Sequence, residues 1–152
     1  MPKVNDTHYL LWTDDELKLL EGTDIDLGVK IGKPKLQARY ERILDLMPDF
    51  GLKHSFYDWL EAHVLFASRN FSYPKENSKG RVSVIVPLAD LFNHNIPADL
   101  SWKFEADKHG DKAFVYVALR DIEEGEEVRI SYGAKDNNNL LSTYGFMIPD
   151  NP

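Results

Sequence analysis

The sequence predicts an α+β fold, with helices in the first half and short strands in the second. Three observations carry that expectation. Apolar residues recur at helical spacing from Leu36 to Met47 and from Phe56 to Ala67; they alternate with polar residues from Leu100 onward; and a polar loop, Lys75 to Gly80, separates the two regimes. No internal repeat or low-complexity segment interrupts this order.

Thr13 and Glu16 form a capping-box signature ahead of Leu17, Leu19 and Leu20, and Gly22 supplies a stop, so a short helix is expected there. Leu36, Tyr40, Ile43, Leu44 and Met47 form the stripe of a second helix, with Arg39, Glu41, Arg42 and Asp45 facing away, until Pro48. Ser55, with Asp58 three residues on, caps a third, whose stripe is Phe56, Trp59, Leu60, His63 and Phe66 or Ala67, ending near Arg69. The run VSVIV, residues 82–86, reads as a buried strand ending at Pro87. Leu100, Trp102 and Phe104 mark a strand, Phe114, Val115 and Val117 another, and Val128, Ile130 and Tyr132 a third beyond the glutamate-rich turn at Gly125. Asn137 to Asn139 opens a brief helix through Leu140, Leu141 and Tyr144, closed by Gly145.

Composition narrows the function classes. With 152 residues, 43% hydrophobic and 28% charged, the chain suits one globular domain. It contains no run of eighteen apolar residues and no secretory leader pattern, so the expected location is intracellular, cytoplasmic or nuclear, without a membrane partner. Zero cysteines exclude disulfides, a thiol nucleophile and a cysteine-based zinc site. The net charge of -7 argues against a nucleic-acid partner, which needs clustered Lys and Arg, and permits attraction to basic peptides.

Two polar constellations stand out. The stretch PLADLFNHN, Pro87 to Asn95, places Asp90, Asn93 and His94 behind a strand, in a turn or a single helical turn. Taken singly, Asp90 and Asn93 suit hydrogen bonds to local backbone and His94 suits a half-buried structural imidazole. Together, an Asn side chain and consecutive backbone amides also suit a purine edge or the ammonium and carboxylate of an amino-acid-like ligand. The second, Arg129 to Phe146, holds two Tyr-Gly pairs, Tyr132-Gly133 and Tyr144-Gly145, in which glycine lets the chain turn sharply beside a phenol. Aromatic core residues before turns are the ordinary reading of either pair.

Read jointly, SRNF (Ser68 to Phe71), VPLADLFNHN (Val86 to Asn95), LRDIEEGEEVRISYG (Leu119 to Gly133) and NNNLLSTYGF (Asn137 to Phe146) resemble the SET-domain protein methyltransferases, in the branch typified by the Rubisco large-subunit methyltransferase. The resemblance implies a SET-domain β-fold of short strands with a helical insert at the N-terminal side and a pseudoknot-like C-terminal part. Residues 1–70 would be the insert region and 71–152 the C-terminal half of the domain, together one structural unit. It implies S-adenosylmethionine as cofactor, a protein substrate and no metal. By the same resemblance Arg69 lies against the cofactor, Asn93 and His94 contact its amino-acid and adenine parts, and Tyr132 stands beside the transferring methyl as the catalytic residue. Asp90, Phe71, Tyr144 and Phe146 line the cofactor or substrate-lysine channel, with Ser68 a weaker candidate. Arg69 also suits a helix C-terminus, Phe71 and Phe146 also suit a core, and Asp90 also suits bracing its own turn.

The implied chemistry matches these residue types. A sulfonium methyl is already activated, so alignment and exclusion of water suffice. The acceptor amine must be neutral, and free lysine has a pKa of about 10.4. An aromatic channel disfavours the ammonium and lowers that value. Tyr132 would align and polarise, since an ordinary phenol stays protonated at neutral pH.

The family's glycine-x-glycine turn is expected to be missing, because Gly22, Gly28 and Gly32 have the wrong spacing, and its C-terminal helical lobe would lie beyond Pro152. The expectation is therefore a partial SET domain lacking an N-terminal segment and prone to self-association through exposed strand edges. Lysine methylation is the leading function, with histidine methylation a variant. The alternative is a catalytically inactive interaction module working through the acidic turn Glu123 to Glu127. A metal hydrolase built on His94 and Asp90 lacks recognisably spaced further ligands.

Overall fold

The structure is a computed structural model describing residues 8–75, 79–106 and 108–151, so part of the expected Lys75 to Gly80 loop, residues 76–78, lies outside the described residues. The chain forms two compact units, Met1–Ser68 with Lys135–Pro152, and Arg69–Ala134. Residues 135–152 fall in the same compact unit as the helices.

The first unit is helical. A 3-10 turn at Tyr9–Leu11 precedes α1, Asp14–Leu17, which the capping box holds: Thr13 Oγ1 accepts from Glu16 N–H, and Glu16 Oε2 accepts from Thr13 N–H at 2.8 Å. α2, Asp24–Leu46, begins twelve residues before the expected stripe, because Thr23 caps it by accepting from Asp26 N–H. Gly28, Gly32 and Pro34 lower the helix propensity of its first half, which hides that half from periodicity; buried Ile25 and Val29 hold it. Pro48 starts α3, Pro48–Lys53, an unforeseen helix with proline in its first turn. α4, Phe56–Arg69, starts at the expected cap, with Asp58 N–H donating to Ser55 Oγ at 3.2 Å. α5, Asn137–Tyr144, is capped by Asp136 rather than by the asparagines, and Gly145 ends it at φ 78°. Leu10, Leu36, Leu60 and Val64 form one core cluster, and Leu20, Ile25 and Val29 another, which Leu141 packs against. Among the described residues no helix is long and apolar enough to cross a membrane.

The second unit holds the strands. β1, Phe71–Pro74, is an unforeseen strand antiparallel to β2, Arg81–Val84. A four-stranded sheet follows in the order β3-β6-β4-β5, with β3 Asn93–His94, β4 Leu100–Ala106, β5 Lys112–Ala118 and β6 Arg129–Ile130. β4 and β5 pair antiparallel, while β3 and β4 both pair parallel to β6. The apolar alternation of β4 turns Leu100, Trp102 and Phe104 toward a core built on Phe71, Ala89 and Ile130. The alternation at 128–132 yields only two paired residues, Arg129 and Ile130.

Candidate functional site

The site grows from the segment behind β2. Asp90 N–H donates to the Val86 carbonyl at 3.1 Å, and Leu88 sits at φ 71°, a left-handed conformation costly for a branched side chain. That bend starts a 3-10 turn, Ala89–Leu91, from which Phe92 leaves in extended geometry. Asn93 and His94 therefore lie on β3 and not in the turn that sequence suggested, because parallel pairing sets Asn93 beside Arg129 and His94 beside Ile130. The register then decides the contact: Tyr132 follows Ile130 by two residues and its backbone N–H donates to His94 Nδ1 at 3.0 Å. With Nδ1 accepting, the neutral imidazole carries its proton on Nε2.

Tyr132 is fixed at both ends. Its ring stacks on His94 with centroids 5.0 Å apart at 27°, and its hydroxyl donates to the Phe92 carbonyl at 2.8 Å. Burial raises the phenol pKa above its ordinary value, against a smaller downward pull from the Arg69 guanidinium, so the hydroxyl is a proton donor at neutral pH. Gly133, at φ 104°, turns the chain away at once.

Arg69 ends α4 and reaches back over the turn. It donates to the Asp90 carbonyl at 2.7 Å and stands 3.7 Å from the Asp90 carboxylate, whose side chain is only 11% exposed. Asn93 is exposed, and its amide donates to Glu127 Oε1 at 2.7 Å. Arg129 holds the same carboxylate at 2.6 Å, and these bonds, Arg129's first and Asn93's second, lower the Glu127 pKa. The Asn93 carbonyl oxygen keeps its acceptor capacity.

Hydrogen bonds join Arg69 to Asp90 and His94 to Tyr132, and the Arg69 charge acts on Tyr132; Asn93 lies in the same unit, next to His94 on β3, but bonds to Glu127. Phe71 belongs to the same unit but serves its core, 8% exposed and edge-on to Trp102 and Phe114. Tyr144 and Phe146 lie in the helical unit at the end of α5, ring centroids 6.2 Å apart, with the Lys135 ammonium 5.8 Å from the Tyr144 ring. Ser68 turns back on its own helix, donating to the Val64 carbonyl.

Two participants escaped the sequence reading. Tyr116 donates to the Ala89 carbonyl at 2.8 Å and packs edge-on against Phe92; desolvation, then the neighbouring Tyr132 and Asp90, push its phenol up to about 12. Its place on β5 opposite Trp102 brings its hydroxyl to the Ala89 carbonyl, a placement that the strand pairing alone reveals. Glu127 was hidden in a run of acidic residues whose ordinary role is solvation. Chemically the cluster offers two protonated phenols, an acceptor amide, an imidazole and a guanidinium. Among the described residues no group of three His, Asp or Glu side chains is arranged to hold a metal ion.

A sequence model of the SET domain matches residues 8–133. SET domain-containing protein 8 of Schizosaccharomyces pombe is 31% identical over 141 residues, covering 90% of this chain and 30% of that protein. Ribosomal lysine N-methyltransferase 1 of Saccharomyces cerevisiae is 31% identical over 119 residues, covering 76% of this chain and 20% of that protein. Among solved structures, the SET domain of LSMT bound to methyl-lysine and AdoHcy superposes with a TM-score of 0.73 at 25% identity, covering 99% of this chain and 35% of that one. The chain spans a fifth to a third of the length of these curated relatives. The family match spans both units and runs through the histidine and tyrosine at the centre of the site: the chain belongs to the SET domain family.

Proposed function

We propose that this chain transfers a methyl group from S-adenosylmethionine to a lysine side chain of a protein. The observation that carries the reading is the clasp of Tyr132 and His94, which joins two segments thirty-eight positions apart into one hydrogen-bonded, stacked unit. The names of relatives and the AdoHcy and methyl-lysine held by the similar LSMT structure support it.

The residues present fit such a cofactor. A zwitterionic amino-acid end needs an acceptor for its ammonium and a cation for its carboxylate; the Asn93 carbonyl oxygen is a group of the first kind and the Arg69 guanidinium, 26% exposed, one of the second. When bound, S-adenosylmethionine supplies an activated methyl group. The protein's share is alignment and desolvation. His94 and the Phe92 carbonyl hold the Tyr132 ring and hydroxyl in one orientation, which removes a rotational search before reaction. Burial keeps that hydroxyl protonated, so it orients and polarises and does not accept the lysine proton. The aromatic surroundings of Tyr132, including Phe92 and Tyr116, disfavour an ammonium and favour the neutral, nucleophilic amine.

The test is transfer of tritiated methyl from labelled S-adenosylmethionine to lysines of total ribosomal protein. The expected result is label in acid-hydrolysed methyl-lysine, reduced at least about tenfold in Tyr132→Phe, since the hydroxyl oxygen, its proton given to the Phe92 carbonyl, is the group that aligns the methyl. Equal transfer by Tyr132→Phe and the unaltered chain would refute the role given to this phenol.

A further inference from the structure

We propose that the helical unit binds a small organic anion, a molecule with a phosphate or carboxylate head and an apolar body. A cavity of about 310 Å³ opens among α2, α4, α5 and the segment His8–Leu10, within the size range of small-molecule sites. Among the described residues no carboxylate lines it, although the chain carries 25 acidic residues against 18 basic ones.

The charge at its mouth is one-sided. Lys35 and Arg39 lie one turn apart on α2, both exposed, and among the described residues neither makes a hydrogen bond or an ion pair. Among the described residues of this unit, Lys30 pairs with Asp26 at 2.8 Å and Lys18 with Asp15 at 2.7 Å, while Lys33, Arg42 and Lys53 are unpaired but lie outside the cavity lining. Like charges at this spacing repel, and among the described residues no acid on the facing wall relieves them. The facing wall presents His63, whose ring stacks on Trp59 at 5.5 Å; burial first, and the Arg39 charge second, lower its basicity. Ser142 and Thr143 add hydroxyls from α5. An anionic head between Arg39, Lys35 and these donors would meet the charge that the fold leaves unanswered.

The interior is apolar. Leu10, Leu36 and Val64 are buried behind the opening, so an apolar body gains by entering while its head stays at the cationic rim. His8 belongs to the wall, because its Nδ1 accepts from Leu10 N–H at 3.2 Å. The site shares no lining residue with the Tyr132 cluster and stands independently of the activity proposed above.

The experiment titrates the full chain with phenyl phosphate, benzoate, inorganic phosphate and the neutral benzyl alcohol, followed by amide NMR shifts and calorimetry. The expected result is saturable binding of phenyl phosphate or benzoate, with shifts at residues 35–39, 63 and 142–143. The tighter of the two names the head group. A Lys35→Gln/Arg39→Gln double variant, at exposed helix positions whose fold circular dichroism checks, is expected to bind at least tenfold more weakly. A second variant, Ala67→Leu, which narrows the cavity without altering charge, is expected to weaken the aromatic anions also. Absence of saturable binding, equal affinity for benzyl alcohol, equal affinity for inorganic phosphate, or undiminished binding by the double variant would each overturn the proposal.

Discussion

Asp99 shows how few side chains fix the strand geometry beneath the site. It is 7% exposed; one carboxylate oxygen accepts from the Arg129 N–H at 2.8 Å and the other from Arg120 at 2.8 Å. Its own backbone bonds Arg129 and Leu119, so β4, β5 and β6 meet at one residue. Asp99→Ala leaves the Arg129 N–H without its acceptor, and the expected loss is about 1–3 kcal/mol in urea unfolding. Tyr132→Phe removes the bond to the Phe92 carbonyl and is expected to cost about 1 kcal/mol in the same assay. His8 predicts a pH dependence. Burial lowers its pKa from 6.5 to about 4, because a proton on Nδ1 would confront the Leu10 N–H. The unfolded chain therefore binds the proton first, so stability is fully present above pH 6.5 and falls as pH drops toward 4. The loss is at most on the order of 3 kcal/mol, and urea midpoints between pH 7.5 and 4.5 should show it shrinking in His8→Gln. His63, lowered by burial and Arg39, contributes with the same sign.

At the scale of elements, caps were legible and interiors less so. The Thr13–Glu16 box and the Ser55–Asp58 cap stand where the sequence placed them, because side-chain-to-backbone bonds three residues apart need no tertiary information. The first half of α2 was invisible for the opposite reason. Its glycines and Pro34 lack helix propensity, and packing of Ile25 and Val29 overrides that deficit. Pro34 removes one backbone bond within the helix, so Pro34→Ala is expected to stabilise the chain by about 2 kcal/mol in the same assay. β1, β3 and β6 are four, two and two residues long, too short for alternation to reveal, and their pairing is a long-range fact. Gly133 was readable as a turn; a Cβ there meets nothing within 4 Å, so the expected cost of Gly133→Ala is purely conformational, about 1–2 kcal/mol.

For the whole molecule, motif order carried more information than any single motif. Asn93, His94 and Tyr132 were each ambiguous alone, and their meeting depends on the parallel register of β3 against β6, which sequence spacing does not encode. Tyr116 and Glu127 entered the site only through that register and the β4–β5 pairing. The proposed function turns on one point, that the unit carrying this clasp uses Asn93 and Arg69 to hold the amino-acid end of S-adenosylmethionine. The most direct measurement is calorimetry of the chain with S-adenosylhomocysteine, beside the Asn93→Ala variant. Saturable one-to-one binding that weakens at least tenfold in the variant is expected; no heat of binding at millimolar ligand, or equal affinity in the variant, would overturn the assignment, the former pointing to an inactive interaction module.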